Sequence, residues 1–399
     1  MTPILLGATV ALLCATMIGS LATAVGFPLP PNQRRIGCID GLRGYLALFV
    51  LVHHFIIWVQ IVRLHGAWAA LTANLLNNLG AGGVALFFMT TGLVFYPRVL
   101  AGFGATSWVA TYTTRAFRLI PLLAFSVLLL SLVIALRTGN RPNLHYVADF
   151  LQWISCRATP PLLGYADSGR LDAYVLWSLN YEWMFYLFVL PACALMIDAT
   201  RGRGPTWALP VALLVLSLAA RPLFPAWGLS RYLPLFIVGM LAYEAQRTEA
   251  IRRLLSARWM AIPAGLCLLV GLVSAPTPYE IPHLALIGLF FASVACGNGF
   301  GGALRTKGAR ALGECSYGIY LLHGIALNVL FTEGSSFTDR FSTSQIFALL
   351  PVVAAGVTCV TLLTYVLIER PLIRAGGRIA KLATKRSMRI DSPQIELAP

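Results

Sequence analysis

DGLRGYLALFVLVHHF, residues 40–55, is an apolar run with an Asp–Arg pair near one end and two adjacent histidines near the other. Its aliphatic and aromatic residues leave no polar stripe of the kind a water-facing helix carries, so the run reads as a membrane helix. A helix climbs about 1.5 Å and turns about 100° per residue, so the steps from Arg43 to His54 amount to about three turns and roughly 16 Å along one face. Arg43 is therefore expected at a membrane interface, with His54 above it near the bilayer midplane. His53 points toward a different neighbour.

The rest of the chain implies the same solvent. Of its 399 residues, 58% are hydrophobic and 11% charged, and the mean hydropathy is +0.76. That balance excludes a soluble globular domain of this size. Apolar runs of about 20 residues, enough to cross roughly 30 Å of hydrocarbon, recur along the chain. They fall at 3–25, 44–62, 79–97, 119–137, 174–197, 207–222, 229–245, 258–275, 281–300, 313–332 and 345–368. The expected fold is all-α, a polytopic transmembrane bundle of about 11 helices, with the lipid bilayer as a partner.

A net charge of +15 raises the question of nucleic acid, but the charge is sorted by side and does not gather in a patch. With the first helix entering from outside, one set of loops holds 22 of the 30 basic residues, among them Arg34, Arg35, Arg43, Arg98, Arg115, Arg118 and seven from Arg370 to Arg389. The positive-inside rule makes that side cytoplasmic, so the expectation is a cell membrane protein with its N-terminus outside and no nucleic-acid partner. Residues 1–26 have no basic leader and read as a retained helix rather than a signal peptide. GFPLPPNQRRIG, residues 26–37, is a boundary of helix breakers and a basic pair. Residues 27–374 then form the membrane domain, and 375–399 a basic, then polar, cytoplasmic tail with little fixed structure. The eight cysteines lack ligand spacing and only Cys156 falls in an outer loop, so neither a metal site nor an obvious disulfide is expected.

Two further spans bring titratable groups to comparable depth. Glu182 lies in LWSLNYEWMFYLF, residues 176–188, and His323 in SYGIYLLHG, residues 316–324. An unpaired carboxylate in hydrocarbon costs several kcal/mol, so Glu182 is expected to be protonated or paired with a histidine or arginine. Both residues have a structural alternative as interhelical hydrogen-bond partners. In TYTTRAFRLIP, residues 111–121, Arg115 and Arg118 share a helical face. Two guanidiniums there suit a phosphate ester, with plain topology-setting charge as the alternative.

These stretches carry a resemblance. LRGYLALFVLVHH (42–54), GAGGVALFFMTTGLVF (80–95), TRAFRLIP (114–121), LWSLNYEWMFY (176–186), SYGIYLLH (316–323) and IERPLIR (368–374) occur in the order seen in the acyltransferase 3 family. The chain resembles these integral membrane acyltransferases, which include bacterial O-acetyltransferases of lipopolysaccharide, exopolysaccharide, Nod factors and macrolides. The resemblance implies a 10-helix core, with residues 1–26 as an added helix, and acyl-CoA, first of all acetyl-CoA, as donor. It makes Arg43 and His54 the essential pair, Arg115 and Arg118 acyl-CoA contacts, and Glu182 the acidic site position. His53, Thr91, Ser316, His323 and Glu369 take substrate-facing or structural places. Thr91 stands where Ser is usual, keeping the hydroxyl, and Gly324 follows His323 where Pro is frequent. The SGNH hydrolase-like domain borne by many members has no counterpart here, so further processing of the product is expected of a separate protein.

On that reading His54 is a general base for the hydroxyl of a carbohydrate or glycolipid acceptor arriving from outside, with Glu182 holding or charging the imidazole. An acyl-histidine route remains open beside it. The loop over 138–173, with His145, Asp149, Trp153, Tyr165, Asp167 and Asp172, has a composition suited to sugars or to an ordinary solvated loop. The competing class is a transporter or polysaccharide-export component that uses the buried His and Glu as a proton relay.

Overall fold

The structure is a computed structural model that describes residues 2–30, 37–200, 204–224 and 228–390, with side chains to Ala383. Helices of eight residues or more are numbered in chain order. The first half holds α1 (Thr2–Ala24), α2 (Gly37–Leu64), α3 (Asn74–Ala101), α4 (Trp108–Thr138), α5 (Tyr146–Ile154) and α6 (Trp177–Ala199). The second half holds α7 (Ala208–Ala220), α8 (Gly228–Arg247), α9 (Glu249–Ser256), α10 (Arg258–Val273) and α11 (Ile281–Ala295), then α12 (Lys307–Glu314), α13 (Ser316–Phe331) and α14 (Gln345–Ala383). The fold is an all-α bundle of a multi-pass membrane protein.

Every apolar run read from the sequence lies on a helix, and among the described residues these helices differ in whether each is long and apolar enough to cross a bilayer alone. Six helices, α1, α2, α3, α4, α6 and α14, are long and apolar enough to cross alone, and α9 with α10, bent by 64°, makes a seventh if counted as one. For the shorter apolar helices length sets that limit, whereas the 20-residue α8 falls short on composition. The 13 residues of α7 rise only about 20 Å against roughly 30 Å of hydrocarbon, and α13 is cut short where Cys315 separates it from the amphipathic α12.

Helices α2 and α3 form the middle of the bundle, with 61% and 72% of their most apolar windows buried against 22% for α1. One face of α2 shares a core with α3, α4, α6, α8 and α11, while another packs with α1, α13 and α14. Such close approach needs residues without side chains. A methyl at Gly92 of α3 would overlap the Phe236 carbonyl of α8, and one at Gly239 of α8 would overlap that of Met89. The backbones themselves are in contact there.

Two helices carry a wide, π-type turn, at Phe185–Val189 in α6 and at Tyr365–Glu369 in α14. Such turns re-aim side chains within an otherwise regular helix. Of the tail expected to lose structure from residue 375, the described part, to residue 390, is instead a continuation of α14, and residues 391–399 lie outside the described residues. Gly376 lies against Phe117 of α4 and Ala380 is buried one turn on, while Arg374, Arg378 and Lys381 stay exposed. Small residues four apart give the basic segment a surface to dock on. The basic pair Arg34–Arg35 lies outside the described residues.

Replacing Gly92 by Ala should cost about 1–3 kcal/mol through overpacking, seen as a lower melting temperature in detergent. Gly377→Ala, where an added methyl meets nothing within 4 Å, should leave the melting temperature unchanged.

Candidate active site

The seam between α2 and α13 holds two polar contacts. At one end Arg43 Nη2 donates to Ser316 Oγ at 3.0 Å, and Ser316 Oγ donates in turn to the Gly313 carbonyl at 2.8 Å. At the other end His54 Nδ1 lies 2.9 Å from His323 Nε2, and His323 Nδ1 lies 3.0 Å from the Ile319 carbonyl. Hydrogen-bond chemistry orders this chain. A carbonyl only accepts, so His323 Nδ1 bears the hydrogen; in a neutral ring Nε2 is then an acceptor, and His54 Nδ1 must be its donor. With both rings neutral, His54 Nε2 is left as a bare lone pair, and no described residue hydrogen-bonds to it.

His53, one residue earlier, turns to α3 instead, with Nδ1 3.0 Å from the Leu76 carbonyl and its ring over Gly80, where a Cβ would collide with it. The 100° step per residue requires this divergence. Beyond His54 the loop residue Trp68 stacks on the imidazole at 5.9 Å between centroids, and Tyr174 meets Trp68 edge-on at 5.3 Å. His54 itself is half-buried, whereas His323 is wholly buried.

A cavity of about 500 Å³ opens at the basic end of the bundle. Arg43, Arg98, Arg115 and Arg118 line it, with Thr91, Glu182 and Ser316 deeper inside. Its far end is closed by Phe87, Ser178 and Tyr320, where the Tyr320 hydroxyl lies 2.8 Å from Ser178 Oγ. Neither His54 nor His323 is on its wall. The Tyr320 ring, 6.2 Å from that of His323, is the partition.

Glu182 does not reach the histidines. Thr91 Oγ1 donates to its Oε1 at 3.2 Å, and the Tyr186 hydroxyl donates to the same oxygen. The expected carboxylate–imidazole pair is therefore replaced by the two-histidine chain. The reason is depth: Thr91 is eleven residues along α3 from Gly80, which packs on His53, a rise of about 16 Å. Glu369 sits behind the cavity, 2% exposed with Oε1 lacking a hydrogen bond, in electrostatic reach of Arg118 and Arg43. Sequence reasoning took Arg98 for a topology charge and passed over Tyr186 and Tyr320. The signal for Tyr186 was its place four residues after Glu182, one turn on; nothing in the sequence marks Tyr320 as a partition.

The structure thus sets a basic cavity and a pair of histidines along one seam inside a bundle of apolar helices. The acyltransferase 3 family model, described as an acyltransferase domain, matches residues 36–369, and the chain belongs to that family. It is similar to the exopolysaccharide production protein ExoZ of Rhizobium meliloti strain 1021, with 26% identity over 316 residues, 75% of this chain and 91% of the relative. No solved structure matches. Family membership makes the protein a membrane acyltransferase and displaces the transporter reading.

The loop over 138–173 is more ordered than a solvated connection. Trp153 is wholly buried and donates to the Pro160 carbonyl at 2.9 Å, and Asp167 accepts from the Tyr174 hydroxyl at 2.6 Å. Asp172 packs its backbone where a side chain at Gly324 would stand, next to His323, which accounts for glycine at that position. Ala173 and Tyr174 both adopt positive φ, 58° and 53°, a strained pair for residues with a Cβ. The Tyr174 N–H donates to Asp172 Oδ1 at 3.0 Å, but burial dominates and pushes the Asp172 carboxyl up to about 8. A raised acid pKa stabilises the docked loop fully below the unfolded value near 4, and that stability is lost as pH rises toward 8. Protection factors for hydrogen exchange over 165–175, which remove the intrinsic pH dependence of amide exchange, should accordingly fall from pH 5 to pH 8 in the native protein, and Asp172→Asn, which keeps the acceptor oxygen, should hold them constant.

Proposed function

We propose that the protein transfers an acyl group, acetyl first of all, from acyl-CoA to a hydroxyl of a glycan or glycolipid. The observation that carries this is the bare Nε2 of His54, oriented through His323, whose ring lies 6.2 Å from the Tyr320 ring that lines the arginine-rich cavity. The basic end faces the cytoplasm, where the donor is found, and the Trp68 side faces out, toward the acceptor. Arg43, Arg115 and Arg118 hold the donor's phosphates, the charge-assisted partners for which planar guanidiniums are suited. Glu182, fixed by Thr91 and Tyr186, lines the path of the pantetheine arm and offers its amides a hydrogen-bond acceptor. Tyr320 must swing aside for the thioester to meet His54.

In the transfer step His54 Nε2 takes the acceptor hydroxyl's proton as the oxygen attacks the thioester carbonyl. The tetrahedral intermediate collapses, the C–S bond breaks, and the imidazolium returns the proton to the departing thiolate. His323 keeps the correct ring nitrogen bare throughout. An acyl-histidine route would use the same lone pair on the carbonyl directly. ExoZ, by its name a protein of exopolysaccharide production, makes an exopolysaccharide or its lipid-linked precursor the first acceptor to try.

Membranes holding the His54→Ala variant at native abundance should lose about 10²–10⁴-fold in label transfer from radioactive acetyl-CoA to glycan or lipid; transfer at the native rate would refute the base assignment. His323→Gln, whose carbonyl oxygen can still accept from His54 Nδ1–H, should retain most of the activity. His323→Leu should lower kcat by about 10²-fold while leaving the apparent acetyl-CoA affinity unchanged.

A further inference from the structure

We infer that Arg98 is a phosphate-binding residue of the donor site, and that Arg98 and Arg115 together clasp the donor's diphosphate at the basic mouth of the cavity. The inference rests on the acyl-CoA reading above and adds a residue and a place to it. Arg98 stands in the last turn of α3, and its guanidinium carbon lies 4.6 Å from the Phe95 ring centroid; that of Arg115, from α4, lies 4.4 Å from the same centroid. Phe95 is 1% exposed, so the ring is a fixed post between two helices with a cation of each held against it. Both guanidiniums line the cavity.

Among the described residues neither guanidinium forms a salt bridge: Arg98 lies in electrostatic reach of Arg115 and Tyr186, and Arg115, whose buried Nε lacks a hydrogen bond, meets Tyr186 and lies in electrostatic reach of Glu182. Aromatic contact attracts a cation through the ring quadrupole but supplies no counter-charge. Two like charges drawn from water to one post are tolerable when an anion completes the set. The cavity wall as a whole bears Arg43, Arg98, Arg115 and Arg118 against Asp40 and Glu182, an excess that a diphosphate offsets.

Depth assigns the diphosphate to this pair. Arg98 is two turns, about 10 Å, from Thr91 along α3, and Thr91 is bonded to Glu182. Tyr243 and Gln246, near the end of α8, line the same mouth. The charged diphosphate thus stays at the entrance, while the neutral arm runs inward past Thr91 and Glu182, where a second dianion would meet a carboxylate. A phosphate of an anionic lipid has the same chemistry, and the experiment separates the two sources.

The test uses the full-length protein in phosphatidylcholine nanodiscs, with calorimetric binding of CoA, dephospho-CoA and pantetheine to native protein and to Arg98→Gln and Arg98→Lys. The expected result is a loss of about 10–100-fold in affinity for both CoA and dephospho-CoA in Arg98→Gln, which share the diphosphate, with a smaller loss in Arg98→Lys and an unchanged melting temperature. Unchanged CoA affinity in Arg98→Gln would overturn the assignment, including when only co-purification of phosphatidylglycerol falls. A loss confined to CoA would also overturn it, by moving Arg98 to the 3′-phosphate. Native protein that binds none of the three would instead sink the acyl-CoA reading itself.

Discussion

One hydrogen bond, from His54 to His323, organises the centre of this protein. It joins α2 to α13 within the bundle, where His323 is wholly buried and its ring must find partners inside the protein. The chain ends on the Ile319 carbonyl, an acceptor already part of a helix, and that fixed end dictates the protonation of every nitrogen before it. The result is an imidazole with one nitrogen spent on structure and one left for chemistry. In a soluble protein a water molecule could relax that order; here the surrounding apolar helices preserve it.

The same economy governs the carboxylates. Glu182 and Glu314 are each bonded by the hydroxyl of a tyrosine on a π-type turn, Tyr186 in α6 and Tyr365 in α14. Glu182 also lies in electrostatic reach of Arg115, so part of the basic lining is backed by a polar layer. Buried charge here is organised toward one cavity, the pattern expected of a site and not of general packing.

Between cavity and histidines stands Tyr320, pinned by Ser178 and by the Val175 carbonyl. On the proposed function, with donor and acceptor on opposite sides, such a partition would keep the bundle from being an open tunnel for small solutes and ions. The loop carrying Asp172, Ala173 and Tyr174 closes the other approach, bearing its strain where it meets Trp68 and Gly324. Both barriers are single side chains or one short segment, movable without disturbing the helices that fix His54.

The sequence by itself determined the solvent and the helices: apolar runs of membrane length, sorted basic residues, and the spacing that puts Arg43 and His54 on one face, since each is a property of consecutive residues along a helix. His53 turning away from His54 was likewise legible from the 100° step. What only the tertiary structure decided is who meets whom. The sequence reading gave the orienting role at His54 to Glu182, but the structure pairs His54 with His323, because α13 lies along α2 while α6 presents Glu182 to α3 at a level about 16 Å removed. Arg98 carried no local mark to distinguish it from a topology charge; a partner helix and a shared phenylalanine ring made it part of a cavity. Depth along a helix is written in one dimension, but contact depends on how several helices are set against each other, and no single run of residues encodes that.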